Sequence, residues 1–319
     1  MTAAARGDVA GLVERARTGD HRAVARLISL VEDASPLLRA VSERLVGHTG
    51  RAQVLGITGS PGVGKSTSTA ALVGALRESG KRVGVLAVDP SSPFSGGALL
   101  GDRVRMQDHA TDPDVYIRSM ASRGHLGGLA WATPQAVRVL DAAGCDVVVV
   151  ETVGVGQSEV EVASLADTTL VLLAPGMGDG IQAAKAGLLE VGDVYVVNKA
   201  DRDGATQVAR DLRAMLALAE RTEDGWVPPI VKTVAAKGEG LPALVEAISS
   251  HRDWQQAGVE QHRRRLRRAR DEIEAIALTA LRERFGDLHG RADLDTLAAE
   301  VLAGRTDPYS AADAVLETL

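Results

Sequence analysis

The chain has 319 residues, a net charge of −6 and 3% aromatic residues. That length can bury one sizeable core with a smaller appendage. The acidity argues against bulk attraction to nucleic acid or an anionic membrane, and the scarcity of aromatics against a base-stacking surface. A single cysteine, Cys145, excludes an intrachain disulfide and a thiolate metal cluster; it precedes a run of valines, so a small buried hydrophobe is expected there. No apolar run approaches the roughly 20 residues of a membrane helix, and Met1 to Asp8 lacks the apolar segment of a signal peptide. The expectation is a cytoplasmic protein.

From Val9 the apolar residues recur at helical spacing: Leu12, Val13 and Ala16, then Val24, Leu27, Ile28 and Val31. Gly19-Asp20 divides two helices, with Asp20 as an N-cap. Ser35-Pro36 opens a third, with Pro36 in its first turn. This N-terminal helical segment, residues 1–50, carries no catalytic constellation and is expected to pack against the domain that follows.

Residues 51–250 alternate apolar strands with helices. The strands are expected at Val54–Thr58, Val83–Val88, Val115–Ile117, Val147–Val150, Leu170–Ala174, Val194–Val197 and Ile230–Val234. Near-continuous Val/Ile/Leu runs suit strands covered on both faces. The fold class that follows is α/β: a three-layer sandwich around a largely parallel sheet, with right-handed crossovers. Ligands of such sheets sit at the C-terminal ends of the strands, and the polar motifs fall there.

Gly59-Ser60-Pro61-Gly62-Val63-Gly64-Lys65-Ser66, followed by Thr67, fits the phosphate-loop pattern between a strand and a helix. Its glycines let backbone N–H groups turn inward as an anion nest, and the helix N-terminus adds partial positive charge. Lys65 can reach outer phosphates and Ser66 can bind Mg²⁺. The second strand runs into Asp89-Pro90 and an irregular stretch through Gly101-Asp102-Arg103. Asp89 and Asp102 are candidates for Mg²⁺ coordination or for orienting the attacking water; loop aspartates that cap helices are the alternative.

The fourth strand ends in Glu151, with Gly154 three residues on, the layout that senses a γ-phosphate. Glu, one carbon longer than Asp, argues for contact with the metal through water, and Gly154 can bring an N–H to the phosphate. After the fifth strand, Gly178, Asp179, Gln182 and Lys185 lie in a glycine-rich loop running into a helix; Lys185 is either a switch contact or a solvated lysine. The sixth strand ends in Asn198-Lys199-Ala200-Asp201. An ionised Asp only accepts hydrogen bonds, which suits the paired N1–H and N2–H₂ of guanine; a mismatched base at such a site is rejected by roughly 10⁴–10⁵. Ala235-Ala236-Lys237 would close over the base with backbone N–H groups.

The remaining residues, 251–319, form a helical arm. Its run from Arg263 to Arg270 is followed by acids, so a solvated helix with internal ion pairs is expected rather than a nucleic-acid surface. Leu266, Ile273, Ile276, Ala277, Ala280 and Leu281 form an apolar stripe suited to burial against a second subunit.

The phosphate loop, Val88-Asp89-Pro90-Ser91-Ser92-Pro93, Gly101-Asp102-Arg103, Ser122-Arg123-Gly124, the block Val150 to Glu159 and Asn198-Lys199-Ala200-Asp201 together resemble the MeaB/ArgK family, GTPases associated with methylmalonyl-CoA mutase. The likeness covers nearly the whole chain, through Asp307-Pro308-Tyr309. It implies a P-loop GTPase of the SIMIBI class, GTP hydrolysed with Mg²⁺, and a homodimer formed through the C-terminal helices. It also implies a chaperone role in which GTP gates cobalamin loading and protection of a B12-dependent acyl-CoA mutase, cobalamin being met only through that partner. Within it, Asp89, Asp102 and Glu151 match the active-site acids, and Met177 to Lys185 the third switch; with Lys65 of the phosphate loop they are the expected catalytic residues. Ala235 stands where the family usually has Ser. Rival readings are a small-molecule kinase of amino-acid transport type, a metallochaperone GTPase and a binding module without turnover. The absence of a His- or Cys-rich tract weighs against the metallochaperone.

Overall fold

The computed structural model describes residues 3–33, 35–89, 109–121, 132–152, 158–176, 188–218, 225–285 and 292–317. Three helices open it: α1 (Ala3–Arg17), α2 (His21–Glu32) and α3 (Leu38–Leu45). Asp20 caps α2 as expected, its Oδ1 accepting from Arg22 N at 2.9 Å and Ala23 N at 3.2 Å. The third helix starts at Leu38, later than Pro36, because Ser35 is used in a turn: its hydroxyl accepts from Leu37 N and its carbonyl from Leu38 N.

Among the described residues seven strands form one sheet: β1 (Gln53–Thr58), β2 (Val83–Asp89), β3 (Val115–Ala121), β4 (Val147–Thr152), β5 (Thr168–Leu173), β6 (Val194–Val197) and β7 (Ile230–Lys232). Their order is β3-β2-β4-β1-β5-β6-β7, and every pairing is parallel. The expected parallel α/β sandwich is therefore the observed fold. The third strand runs to Ala121 because it stays in register with β2 up to Asp89. The last stops at Lys232, since Thr233 and Ala235 turn toward Asn198.

Between the strands lie α4 (Lys65–Glu78), α5 (Thr133–Ala142), α6 (Ser158–Leu165), α7 (Leu188–Val191), α8 (Ala205–Ala217) and α9 (Leu241–Ala257). The period of two along each strand sorts the core into layers. Val147 and Val149 face Leu72, Val73 and Leu76 of α4 and Leu244 and Ile248 of α9. Val148 and Val150 face the other way, with α1–α3 and α5. The N-terminal helices thus share the sheet's own core, and Arg118 of β3 ties them down through Ser29 Oγ (3.1 Å) and Glu32. Cys145 is buried in this layer; burial pushes its thiol up to about 12, in keeping with a packing role.

The N-terminal ends of the central strands are pinned by acids. Asp141 accepts from Ala52 N (2.9 Å), Asp167 from Val54 N (2.9 Å) and Asp193 from Thr169 N (2.8 Å). Asp193 also takes a two-pronged ion pair from Arg264 (2.8 and 3.0 Å), and Gln255 Nε2 donates to Asp167 O. Arg264 was expected on a solvated helix with internal pairs; it does pair with Glu260, but its fork is spent on the sheet. His251 sits fully buried beside it, its Nδ1 2.9 Å from Thr168 Oγ1, between Trp226 and Trp254.

The chain divides into two compact units, Met1–Arg264 and Arg265–Leu319. The long helix α10 (Glu260–Phe285) crosses that boundary, and α11 (Ala292–Leu302) and α12 (Pro308–Glu317) complete the second unit. Asp307 caps α12, accepting from Tyr309 N and Ser310 N. Leu266, Ile273, Ile276 and Leu281, the expected stripe, are exposed. No helix among the described residues is long and apolar enough to cross a membrane.

Candidate nucleotide site

The segment Gly59–Ser66 leaves the central strand β1 and enters α4, at the point where the sheet order turns from β4 to β5. Such a switch point opens a crevice at the strand ends. Two glycines there are sterically required. At Gly59 (φ 140°) a Cβ would lie 2.3 Å from Leu172 O, and at Gly64 (φ 97°) one would lie 2.6 Å from Asn198 Nδ2. Lys65 folds back over the loop, its Nζ donating to Gly59 O (2.8 Å) and Ser60 O (3.2 Å). The ammonium is thereby held at the loop rim rather than along the helix. Thr67, one position beyond Ser66, is exposed.

Ser66 and Glu151 meet at the base of this loop. Ser66 Oγ donates to Glu151 Oε1 at 2.7 Å, and both residues are buried. Their meeting follows from register: Glu151 pairs with Ile57 in β1, and α4 packs on that face of β4. Both supply hard oxygen, the donor type Mg²⁺ prefers. Asp89 closes β2, but its side chain lies outside the described parts. Asp102, Gly154, Gly178, Asp179, Gln182 and Lys185 lie outside the described residues altogether, as do Arg103 and Arg123 of the family motifs.

Asn198 is the joint of the site. Its Nδ2 donates to Val63 O at 2.9 Å, and its Oδ1 accepts from Thr233 Oγ1 (3.2 Å) and Ala235 N (3.1 Å). One buried amide thus ties the phosphate-loop segment, the end of β6 and the turn after β7 into one piece. Lys199, at φ 55°, reaches back over the loop, its Nζ donating to Gly62 O at 2.6 Å. Asp201 points outward and pairs with Lys237, Nζ to Oδ2 3.1 Å. The hydrogen bond from that ammonium holds the Asp201 carboxyl below the usual carboxylate range. Lys237 ends a 3₁₀ turn, Ala235–Lys237, in which Ala235 is buried and Ala236 exposed. Thr233 and the side chain of Lys237 are the contributors that residue patterns did not single out. Each meets its partner through a loop pairing that only the folded sheet creates.

A parallel sheet whose central strand feeds a phosphate loop, with an Asn-Lys-x-Asp segment at the end of β6 two strands away, defines a P-loop GTPase. The chain matches the family described as Methylmalonyl Co-A mutase-associated GTPase MeaB over residues 24–287. It belongs to that family. A Pyrococcus abyssi protein named as a GTPase is 46% identical over 310 residues, covering 97% of this chain and 96% of that protein. The mitochondrial methylmalonic aciduria type A homolog of Mus musculus is 34% identical over 267 residues, covering 82% of this chain and 64% of that protein. The crystal structure of LAO/AO transport system kinase matches with a TM-score of 0.71 at 26% identity, over 100% of this chain and 98% of that one.

Proposed function

We propose that this GTPase is a chaperone of a B12-dependent acyl-CoA mutase, methylmalonyl-CoA mutase first among the candidates. In this reading, GTP binding and hydrolysis gate loading of cobalamin and protect or reactivate the mutase, and cobalamin is handled through that partner. The observation that carries the GTP half is the Asn198 joint, which ties the loop suited to phosphates to the turn after β7 from within the Asn-Lys-x-Asp segment that carries the acid suited to guanine. The family match supports the mutase half.

The reaction is GTP + H₂O → GDP + phosphate. Gly59, Ser60, Pro61, Gly62, Val63, Gly64, Lys65, Ser66, Thr67 and Gly154 line the phosphates, with Lys65 neutralising the outer ones. Asn198, Lys199 and Asp201 hold the base, and the backbone N–H groups of Ala235, Ala236 and Lys237 close over it. Ser66, Asp89 and Asp102 hold Mg²⁺, which supplies charge neutralisation on the phosphates when bound. Glu151 orients Ser66, and catalysis is positioning plus electrostatics. Gly178, Asp179, Gln182 and Lys185 form a switch. Residues 1–50 are a helical leader, 51–250 the GTPase domain and 251–319 an arm that makes a homodimer. The protein works in the cytoplasm, and neither nucleic acid nor a membrane is a partner.

The arm's exposed apolar stripe supports the dimer. With no arginine finger marked by spacing, a contribution worth roughly 10³–10⁵ in rate is left for a partner to supply or induce. The test is a pull-down against candidate B12 mutases with GTP turnover followed in parallel. A captured mutase that accelerates slow intrinsic turnover is expected. Fast hydrolysis by the isolated protein, unchanged by any mutase, would overturn the chaperone reading. The likeness to LAO/AO transport system kinase favours one second reading, phosphoryl transfer to a small molecule; a phosphorylated acceptor among the products, in place of free phosphate, would decide for it.

A further inference from the structure

Beside the backbone bond from Ala200 N to Thr233 O (3.0 Å), two side-chain bridges join the loop after β6 to the turn after β7. The lower one is buried and rigid: Asn198 Oδ1 accepts from Ala235 N and Thr233 Oγ1. The upper one is the ion pair between Lys237 Nζ and Asp201 Oδ2 at 3.1 Å, on the exposed rim. The turn that carries Lys237 is itself tightly set. Val234 N donates to Glu239 O, Lys237 N to Val234 O (2.8 Å), and a Cβ at Gly240 would lie 2.2 Å from Lys232 O. The backbone that carries Lys237 is therefore held on one side of Asp201.

We propose that the Lys237 side chain is a positioning residue for guanine selection: its ammonium fixes the plane of the Asp201 carboxylate so that both oxygens meet the base together. This rests on the GTP reading of the site. Guanine presents two donors, N1–H and N2–H₂, to one carboxylate, whereas hypoxanthine presents N1–H alone. A carboxylate free to rotate can still satisfy one donor, but satisfies two only in one plane. Orientation of Asp201 therefore matters more for GTP than for ITP. The depressed pKa of Asp201 fits the same arrangement, because the acceptor stays ionised.

The experiment compares wild type, Lys237→Met and Lys237→Arg, with KM and kcat measured for GTP and ITP. Solvent limits an exposed ion pair, so Lys237→Met is expected to raise the KM for GTP about three- to fivefold. The effect falls on KM rather than kcat, the KM for ITP moves less, and Lys237→Arg recovers most of the loss. In an Asp201→Ala background, Lys237→Met should add nothing. Equal KM changes for GTP and ITP, no change with either, or a full further loss in the Asp201→Ala background would each overturn the proposal. The last would mean that Lys237 contacts the base by itself. A wild-type protein that does not prefer GTP over ITP and ATP would instead sink the GTP reading beneath it.

Discussion

Replacing Asn198 with Ala tests whether the site is one mechanical piece. The amide makes three hydrogen bonds: to Val63 O at 2.9 Å, from Thr233 Oγ1 at 3.2 Å and from Ala235 N at 3.1 Å. Each neutral bond contributes about 1 kcal/mol net, and leaving a buried backbone donor or acceptor unpaired costs about 1–3 kcal/mol. Removing the amide frees Thr233 to rotate but strands Val63 O and Ala235 N, so a total near 3 kcal/mol is expected. For a unit of this size that is a fall in Tm of about 5–10 °C. If the joint holds the two loops in register for one ligand, much of the loss also appears in affinity, up to about 100-fold in Kd. Fluorescent-nucleotide titration and thermal unfolding measure the two parts. Asn198→Asp sharpens the test. It keeps the acceptor for Ala235 N but sets an oxygen against Val63 O, so nucleotide binding should be no better than in the alanine variant. Wild-type Kd and Tm in Asn198→Ala would refute the reasoning.

Other perturbations have equally definite outcomes. Lys65→Ala should abolish GTP turnover measured by phosphate release, and retained activity would remove Lys65 from the phosphate site. Gly59→Ala should be severely destabilising, because its Cβ meets the Leu172 carbonyl at 2.3 Å; Gly11→Ala, in α1 with nothing within 4 Å, should be neutral or stabilising by about 0.5–1 kcal/mol. Chemical denaturation ranks the pair. Burial pushes His251 down to about 4, so the folded protein keeps it neutral while the unfolded chain protonates near 6.5. Its effect on stability is absent above pH 6.5 and grows as pH falls toward 4, reaching a loss of about 3 kcal/mol. Denaturant titrations at pH 7 and pH 5, read by the fluorescence of the flanking Trp226 and Trp254, should show it, and His251→Gln should flatten the slope.

The strands, their parallel pairing and the phosphate loop were legible because each is a local signal: a valine run, a glycine pattern, a helix that follows. Glu151 was legible as an acid at a strand end, though not its bond to Ser66, which depends on the register of β1 with β4. Asn198 read as part of a base-specificity motif. Its actual bonds go to protein groups 35, 37 and 135 positions away, which no window along the chain can relate. The arginine run reads as a solvated helix with internal pairs, and Arg263 and Arg264 do pair with Glu260; what the spacing could not give is that Arg264 also reaches Asp193, 71 positions back. The acids Asp141, Asp167 and Asp193 carried no reading in the sequence. Only the fold sets the backbone amides of Ala52, Val54 and Thr169 beside them, and a buried amide must be paired.

The Asn198 joint also sets a schedule. Val63 and Asn198 are 135 positions apart, and Ala235 lies a further 37 beyond Asn198. On a ribosome adding about 5–20 residues per second, the loop that Val63 belongs to waits roughly 7–27 s before the amide that braces it has even been made. Until then β1 and α4 exist without the partner that holds their connecting turn in shape. A nascent chain of this protein should therefore acquire tight nucleotide binding abruptly and late, once β6 and β7 have docked, and not in step with the emergence of its phosphate loop.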